Sequence, residues 1–457
     1  MRLYHAADIH LGRRRLDGRL PDHDFAAAFR FIAEEAIREK ADVFLLAGDL
    51  FDRPQVEPPH LRQAQEILRL LKDAAIPVVA IEGNHDRQFV NTEAPTWVRF
   101  LADDDLLKLL RPEFHSEGVR LNEWNAETRT GAWVEIGGVR FVGAGYLGAA
   151  TPNKVRQIIR QMPNNRTQVL LLHAGPEYFI GEGGGISEDD LQMLEDKVCY
   201  LALGHIHKPM IYRGWACNPG SPENCNLREA GYSHGQDGKP VGRGYAVVEI
   251  DPTRPDRPAA LHIRSNPRRS CLRVELDCTP FGSKTKSGAD AFRSSAVKAI
   301  EQGNPEKSAV IELLLTGNLD LNGVVLDMTE AAVEIGARAG VFAVAINTTR
   351  LNIGNGLVSG GLAGTELLPR DELERQAILQ LVDEQPLWGL QEERLAFAEL
   401  FYELKELVRS GQTDEGIASR IGLSPLVEKV RVASTTGASA AAAQTPAAPI
   451  AEGEVRQ

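Results

Sequence analysis

Five apolar runs in this chain end on side chains able to grip a cation, and that pattern limits the fold more than any other feature. Met1–Ala7 ends in Asp8-Ile9-His10, Val43–Leu46 in Ala47-Gly48-Asp49, and Pro77–Ile81 in Glu82-Gly83-Asn84-His85-Asp86. Val169–Leu172 ends in His173, and Val198–Leu203 in Gly204-His205-Ile206-His207. A continuous apolar run of this length, bounded by glycine and polar residues, reads as a strand buried on both faces. In layered α/β folds, ligands gather outside the carboxyl ends of such strands. The five tails are therefore expected to meet at one place and to hold two metal ions, with Asp49 bridging them.

Between the first runs lie amphipathic helices. Asp24 precedes Phe25, Phe29, Ile32, Ala36 and Ile37, and the stretch His60–Lys72 carries Leu61, Ala64, Leu68 and Leu71 on one side. Strand and helix alternate as a parallel sheet requires. The apolar stretch Asn91–Leu110 reads as helical and offers either a core helix or a dimer surface. Gly137-Gly138 marks a hairpin turn.

A chain of 457 residues exceeds one ordinary core, so several domains are expected. The first spans 1–250. Three prolines within Asp251–Pro258 open a linker over 251–269. A small α+β domain over 270–360 follows, with strands Leu272–Leu276 and Ala309–Leu315 around a helix near Ala289–Ile300. Residues 361–432 read as a helical segment whose short helices, joined around Pro386-Leu387-Trp388-Gly389, pack on each other or offer an apolar face to a partner. The Ala/Thr/Ser/Pro/Gly-rich tail 433–457 is expected to be disordered.

Composition excludes several classes. No apolar stretch approaches the roughly 20 residues of a membrane span, and Arg2 leads directly into a strand where no cleavable signal peptide fits, so a cytoplasmic (nucleoid-associated) location is expected. Five scattered cysteines without a CxxC pair read as reduced thiols. A net charge of −12 argues against coating nucleic acid through bulk charge, but leaves room for a local phosphate-binding patch. Arg13-Arg14-Arg15 with Arg19, immediately after Asp8 and His10, forms one such cluster; Arg264 with Arg268-Arg269 forms another. For either, a solvated loop is the alternative. Arg53 suits a phosphate contact or a surface ion pair, and Asp52 either a carboxylate behind the site or a cap on the following helix.

Two divalent ions about 3.5–4 Å apart can clamp the attacking and leaving oxygens of a phosphoryl displacement. Such a pair needs a bridging carboxylate and neutral imidazoles, and an amide oxygen such as that of Asn84 suits a hard ion such as Mn²⁺. Asp8/His10 and His205/His207 are ligand–x–ligand pairs, which an extended segment places on one side. Gly48, Gly83 and Gly204 sit beside ligands where the backbone must turn sharply or approach closely.

Asp8-x-His10, Gly48-Asp49, Gly83-Asn84-His85-Asp86, His173 and Gly204-His205-x-His207 resemble the five signature motifs of the calcineurin-like metallophosphoesterases. His10-Leu11-Gly12, the run Gly48–Pro54 and Pro219-Gly220-Ser221-Pro222-Glu223 are similar to the SbcD-type DNA repair exonucleases, the nuclease subunit of the SbcCD complex. The resemblance implies an α/β, four-layer αββα metallophosphoesterase sandwich with a smaller α+β capping domain and a C-terminal helical segment. It implies one metal on Asp8, His10, Asp49 and His207, and the other on Asp49, Asn84, His173 and His205. His85 would face the leaving oxygen, with Asp86 orienting its imidazole, and Arg13, Arg14, Arg15 and Arg53 are the candidate DNA-binding residues.

The expected activity is a metal-dependent DNA exonuclease/endonuclease acting at DNA ends in repair, with two divalent ions of the Mn²⁺ type. The expected partners are DNA, an SMC-like ATPase subunit (SbcC-type) and a second copy of the chain. The alternatives are a phosphodiesterase or phosphatase on small nucleotides, since a metal site alone does not choose a substrate, and a DNA-end-binding scaffold with little catalysis.

Overall fold

The computed structural model describes residues 1–15, 22–87, 95–164, 166–180, 184–227, 229, 243–253, 257–281, 286–319, 326–353, 358–359, 378, 394–409 and 420. The chain divides into two units, Met1–Glu366 and Leu367–Gln457.

The first unit opens with β1 (Arg2–Ala6), α1 (His23–Arg38), β2 (Val43–Ala47), α2 (Pro58–Asp73), β3 (Val78–Ile81), α3 (Trp97–Asp103) and β4 (Lys108–Leu109). A hairpin of β5 (Glu113–His115) and β6 (Gly118–Arg120) leads to β7 (Trp133–Ile136), β8 (Val139–Ala144), α4 (Thr151–Gln161) and β9 (Arg166–Leu172). Next come α5 (Glu177–Ile180), α6 (Glu188–Glu195), β10 (Val198–Leu203), β11 (Met210–Tyr212), β12 (Ala216–Asn218), β13 (Gly244–Glu249) and β14 (Ala260–Ser265).

These strands form two six-stranded sheets, ordered β14-β13-β1-β2-β3-β4 and β11-β12-β10-β9-β8-β7. The site-bearing strands β1, β2 and β3 run parallel to one another, as do β9 and β10, so their carboxyl ends point the same way within each sheet. Alternation of side chains then builds the layers. From β2, Phe44 and Leu46 join Phe25, Phe29 and Ile32 of α1 and Leu68 of α2 in one core. Val43, Leu45 and Ala47 of the same strand face Val169, Leu171, Tyr200 and Ala202 of the other sheet. On the far side, Leu170, Leu172, Leu201 and Leu203 pack on Val155, Ile158 and Ile159 of α4 and on Leu191 and Leu194 of α6. The result is the four-layer αββα sandwich.

Two expectations are corrected here. Residues 251–269 are more than a linker, because β14 pairs antiparallel with β13 from Gly244↔Ser265 to Glu249↔Ala260 and forms the edge of the first sheet. Among the described residues of Asn91–Leu110, the helical reading holds for Trp97–Asp103 alone. Asp105 takes a left-handed conformation (φ 58°), and Leu106 N–H and Asp105 N–H donate to the Leu101 and Ala102 carbonyls, a helix stop that turns the next residues into β4. Leu101, Leu106, Leu107, Leu109 and Leu110 are core, whereas Trp97 and Phe100 are exposed.

The rest of the unit comprises β15 (Cys271–Asp277), α7 (Lys286–Gln302), β16 (Val310–Leu319), β17 (Leu326–Asp327), α8 (Met328–Ala339), β18 (Ala343–Ile353) and β19 (Val358–Ser359). Strands β15, β16 and β18 form a parallel sheet with its own core, where Phe292, Ala296 and Ile300 of α7 and Ala331 and Ile335 of α8 cover Ile311, Leu313, Leu315 and Ile346.

In the second unit the described helix is α9 (Arg394–Arg409), with Leu395 and Phe401 exposed. The expectations for Arg19, for the helix pair around 386–389, for most of 361–432 and for the tail 433–457 lie outside the described residues. Among the described residues no helix is long and apolar enough to cross a membrane, and all five cysteines are free thiols.

Candidate metal centre

The first sheet presents its ligands on turns rather than on extended chain. Asp8 (φ 54°), His10 (φ 52°) and Asp49 (φ 53°) all sit in the left-handed region, as does His205 (φ 84°) on the second sheet. Non-glycine residues adopt this backbone at a cost that is met mainly at functional sites. The expectation that ligand–x–ligand pairs share a side because the chain is extended is therefore corrected. The turns converge because they are laced together: Asp8 N–H donates to the Gly48 carbonyl at 3.1 Å and His10 N–H to the Asp49 carbonyl at 3.0 Å. Gly48 (φ 89°) has no room for a side chain, since a Cβ there would collide with the His173 ring. A Cβ on Gly83 would collide with the Asp49 carboxylate.

Seven side chains meet in this way. Asp49 stands between the two halves, its Oδ2 3.2 Å from His173 Nε2 and 3.8 Å from His10 Nε2. Asn84 Oδ1 lies 3.2 Å from His173 Nε2 and 2.9 Å from His205 Nδ1. His10 Nε2 and His207 Nε2 face each other at 3.0 Å. Asp8 accepts the His205 backbone N–H through both oxygens. Within each of the trios Asp8, His10, Asp49 and Asp49, His173, His205, ligand atoms lie within 4.8 Å of one another.

The donor set fits cations. His173 Nδ1 donates to the Ala47 carbonyl at 2.7 Å, so the neutral ring presents a lone pair at Nε2 towards Asp49 Oδ2 and Asn84 Oδ1. Three acceptors facing one another in a buried site call for a positive charge between them. His207 repeats the pattern, with Nδ1 2.8 Å from the Glu229 carboxylate and Nε2 turned to His10. In the metal-free chain, protons answer that demand. Burial disfavours a charged His173, but Asp49 and Asp8 outweigh it and raise its pKa to about 9. For His207, Cys225 and Glu229 outweigh burial and raise it to about 11. Burial and the neighbouring His173 push His205 down to about 3. Asp49, despite burial, is held well below the usual carboxylate range by His173, His10 and His85.

His85 lies beside His10, ring centroids 4.8 Å apart. Its Nδ1 donates to the Asp52 carbonyl at 2.7 Å. The expected role of Asp86 as the group orienting this imidazole is corrected. The buried Asp86 carboxyl accepts instead from the backbone N–H groups of Gly83 (2.8 Å), Phe51 (3.0 Å) and Leu50 (3.4 Å), tying the β2 and β3 turns together. Burial and the nearby Asp49 raise its pKa to about 7. The Asp52 side chain does not cap α2, whose N-cap is Glu57. It lies 3.4 Å from His10 Nδ1 and accepts from Arg13 at 2.8 Å.

The arginines separate into two kinds. Arg15 is buried and committed to Asp24 (3.0 Å), Glu223 (3.2 Å) and the Asn224 carbonyl (3.0 Å), so its place among the DNA-binding candidates is corrected. Arg13 is partly buried against Asp52. Arg14 and Arg53 are exposed and line a cavity of about 90 Å³ with Leu11, Gly12 and His60. In the second basic cluster, Arg264 pairs with Glu39, and Arg269 with Asp24 at 2.9 Å.

Sequence reasoning missed three contributors. Glu229 and Arg243 stand behind His207, far along the chain and without a motif around them. Tyr146 packs its ring 5.2 Å from that of His205 and 6.2 Å from that of His173. The Pro219–Glu223 motif pointed to the right loop, but not to these residues.

Residues 1–209 match the family model described as calcineurin-like phosphoesterase. The chain is similar to the DNA double-strand break repair protein Mre11 of Archaeoglobus fulgidus, 32% identical over 241 residues that cover 50% of this chain and 52% of that protein. It is similar to the protein of the same description from Aeropyrum pernix, 29% identical over 219 residues covering 46% and 50%. A third such protein, from Thermoplasma acidophilum, is 24% identical over 335 residues covering 71% and 80%. The chain spans about half the length of the first two relatives.

Proposed function

The chain carries a calcineurin-like metallophosphoesterase domain over residues 1–209, and from that premise we propose that it is a metal-dependent DNA nuclease that hydrolyses phosphodiester bonds at DNA ends in repair. The observation that carries the reading is the facing of acceptors, His173 Nε2 against Asp49 Oδ2 and Asn84 Oδ1, and His10 Nε2 against His207 Nε2. One ion would be held by Asp8, His10, Asp49 and His207, the other by Asp49, Asn84, His173 and His205. The mixed carboxylate, amide and imidazole donors suit Mn²⁺. Bound there, the ions supply Lewis acidity towards the phosphoryl oxygens and lower the pKa of a coordinated water.

The chain's own residues do the rest. With Nδ1 tied to the Asp52 carbonyl, His85 offers Nε2 alone to a substrate. Protonated at that atom, it would hand a proton to the leaving oxygen. Asp86 fixes the turns on which Asp49 and His85 stand. Arg14 and Arg53 would meet the phosphate backbone at the rim. Support for a DNA substrate comes from the likeness to proteins described as acting in DNA double-strand break repair. An SMC-like ATPase and a second copy of the chain are proposed as partners. For the former, the support is α9, an amphipathic helix that leaves Leu395 and Phe401 exposed.

End-labelled duplex and hairpin DNA incubated with Mn²⁺, Mg²⁺ or chelator tests the proposal. Cleavage with Mn²⁺ that chelator abolishes is the expected result. Hydrolysis of a chromogenic phosphodiester with none of DNA would transfer the activity to small nucleotides. DNA binding without any metal-dependent cleavage would leave a scaffold.

A further inference from the structure

Behind the His10/His207 pole lies a buried polar network that the reaction itself does not use. Glu229, 2% exposed, holds His207 Nδ1 at 2.8 Å through Oε1, and its Oε2 accepts from Arg243 at 3.1 Å and from Cys225 N–H at 2.9 Å. Arg243, 3% exposed, also donates to the His207 carbonyl at 3.2 Å, the Ser221 carbonyl at 3.2 Å and Asn224 Oδ1. The network then leaves the sandwich. The Asn224 amide reaches Cys271 Sγ, at the first residue of β15, at 3.4 Å. Arg268 donates to the Arg243 carbonyl at 3.0 Å and to the Pro222 carbonyl at 3.4 Å. Next to it, Arg269 pairs with Asp24 and lays its guanidinium 3.8 Å from the centre of the Phe342 ring, beside β18.

We propose that Glu229, braced by Arg243, is the positioning residue for His207, and that the α+β unit helps to hold it: at its entry Arg268 and Cys271 bond to Pro222 and Asn224, and Arg269 bonds to Asp24, whose other partner Arg15 holds Glu223. The pole of His10 and His207 is then the one whose hold on an ion depends on how that unit is docked. Among the described residues the opposite pole has no such tether: His173 is fixed by the Ala47 carbonyl inside the sandwich. This inference rests on the two-metal reading above and adds which ion is sensitive, and to what.

Partners of this kind behind a metal-binding histidine typically contribute about 10- to 100-fold in metal affinity. The test is Mn²⁺ binding by the full chain, followed by titration and by electron paramagnetic resonance, which separates a spin-coupled ion pair from a single ion. Glu229→Gln keeps size and shape; it is expected to retain one tight ion and weaken the second about 10-fold or more. Arg269→Ala, remote from both ions, is expected to weaken the same ion by about two- to tenfold. Two ions bound by Glu229→Gln as in the wild type would overturn the inference and leave the metal reading standing. So would equal weakening at both poles with a lowered melting temperature of the metal-free chain, since that is general loosening. A wild type that takes up no divalent ion would bring down both. Should Glu229→Gln fail to fold, Arg269→Ala alone decides: wild-type binding in that variant overturns the tether.

Discussion

The two sheets deliver their ligands in different ways. The first sheet gives Asp8, His10, Asp49 and Asn84 on turns that hold one another, through backbone bonds from Asp8 to Gly48 and from His10 to Asp49, and through the Asp86 carboxyl that spans Gly83, Leu50 and Phe51. The second gives His173, His205 and His207, and the outer ring nitrogens of His173 and His207 are held by partners elsewhere, the Ala47 carbonyl for His173 and Glu229 for His207. One half is set by backbone strain and close approach; the other, apart from the left-handed His205, is set by long-range hydrogen bonds. The first half therefore tolerates little change of shape, whereas the second can be adjusted from a distance.

Asp49 touches both halves, so its loss tests whether they act as one site. Asp49→Ala should cost on the order of 10⁴-fold in cleavage rate, the several kcal/mol a metal pair contributes to charge stabilisation. Initial rates on end-labelled DNA with Mn²⁺ check this. Near wild-type turnover would mean that each half works alone, and the comparison would lose its basis.

His85 belongs to the first half, its ring packed on His10 and its Nδ1 bonded to the Asp52 carbonyl. His85→Ala should bind Mn²⁺ as the wild type does and cleave about 10³-fold more slowly, the usual contribution of a positioned acid. Parallel metal titration and single-turnover cleavage separate the two effects. If metal uptake falls together with rate, His85 is part of the ligand scaffold and its role as proton donor is wrong.

The difference between the halves also explains what a reader of the sequence can see. Runs such as Val43–Ala47 betray central strands because both faces are buried, and the glycine beside Asp49 betrays a close approach. Ligands that end such runs are visible for the same reason. Glu229 is not, because it acts across 22 residues by a bond to the far side of a ring, and nothing local marks it. Strand β14 was hidden too: its side chains are half-exposed at a sheet edge, and the prolines before it look like a domain end. The stop of α3 was hidden by chemistry, since an aspartate, Asp105, fills the left-handed position where glycine would have signalled it. Charge clusters misled most. Three consecutive arginines look alike in sequence, yet Arg15 is a buried strut while Arg14 is exposed.

That contrast gives the next prediction. Arg15→Ala removes the ion-pair partner of the buried Glu223 and one of the two arginines on the largely buried Asp24, and should lower stability by about 3 kcal/mol. Chemical denaturation of the metal-free chain measures it, and loss of DNA affinity without loss of stability would restore Arg15 to the phosphate-binding set.

The smallest effect belongs to the rim. Arg14 and Arg53 are 61% and 77% exposed at the side chain, and their ion pairs with Glu57 and Asp52 are exposed on at least one side. Such pairs contribute little to stability, so Arg14→Ala and Arg53→Ala should leave the melting temperature unchanged. If either contacts a DNA phosphate, its loss should weaken binding several-fold at low salt and reduce the slope of log affinity against log salt by about 1. Salt-dependent binding measured with chelator present, so that no cleavage occurs, separates this from any effect on the metals. An unchanged slope in the double variant would remove both residues from the DNA path and leave the partly buried Arg13, held on Asp52 behind His10, as the cluster's remaining contact with the site.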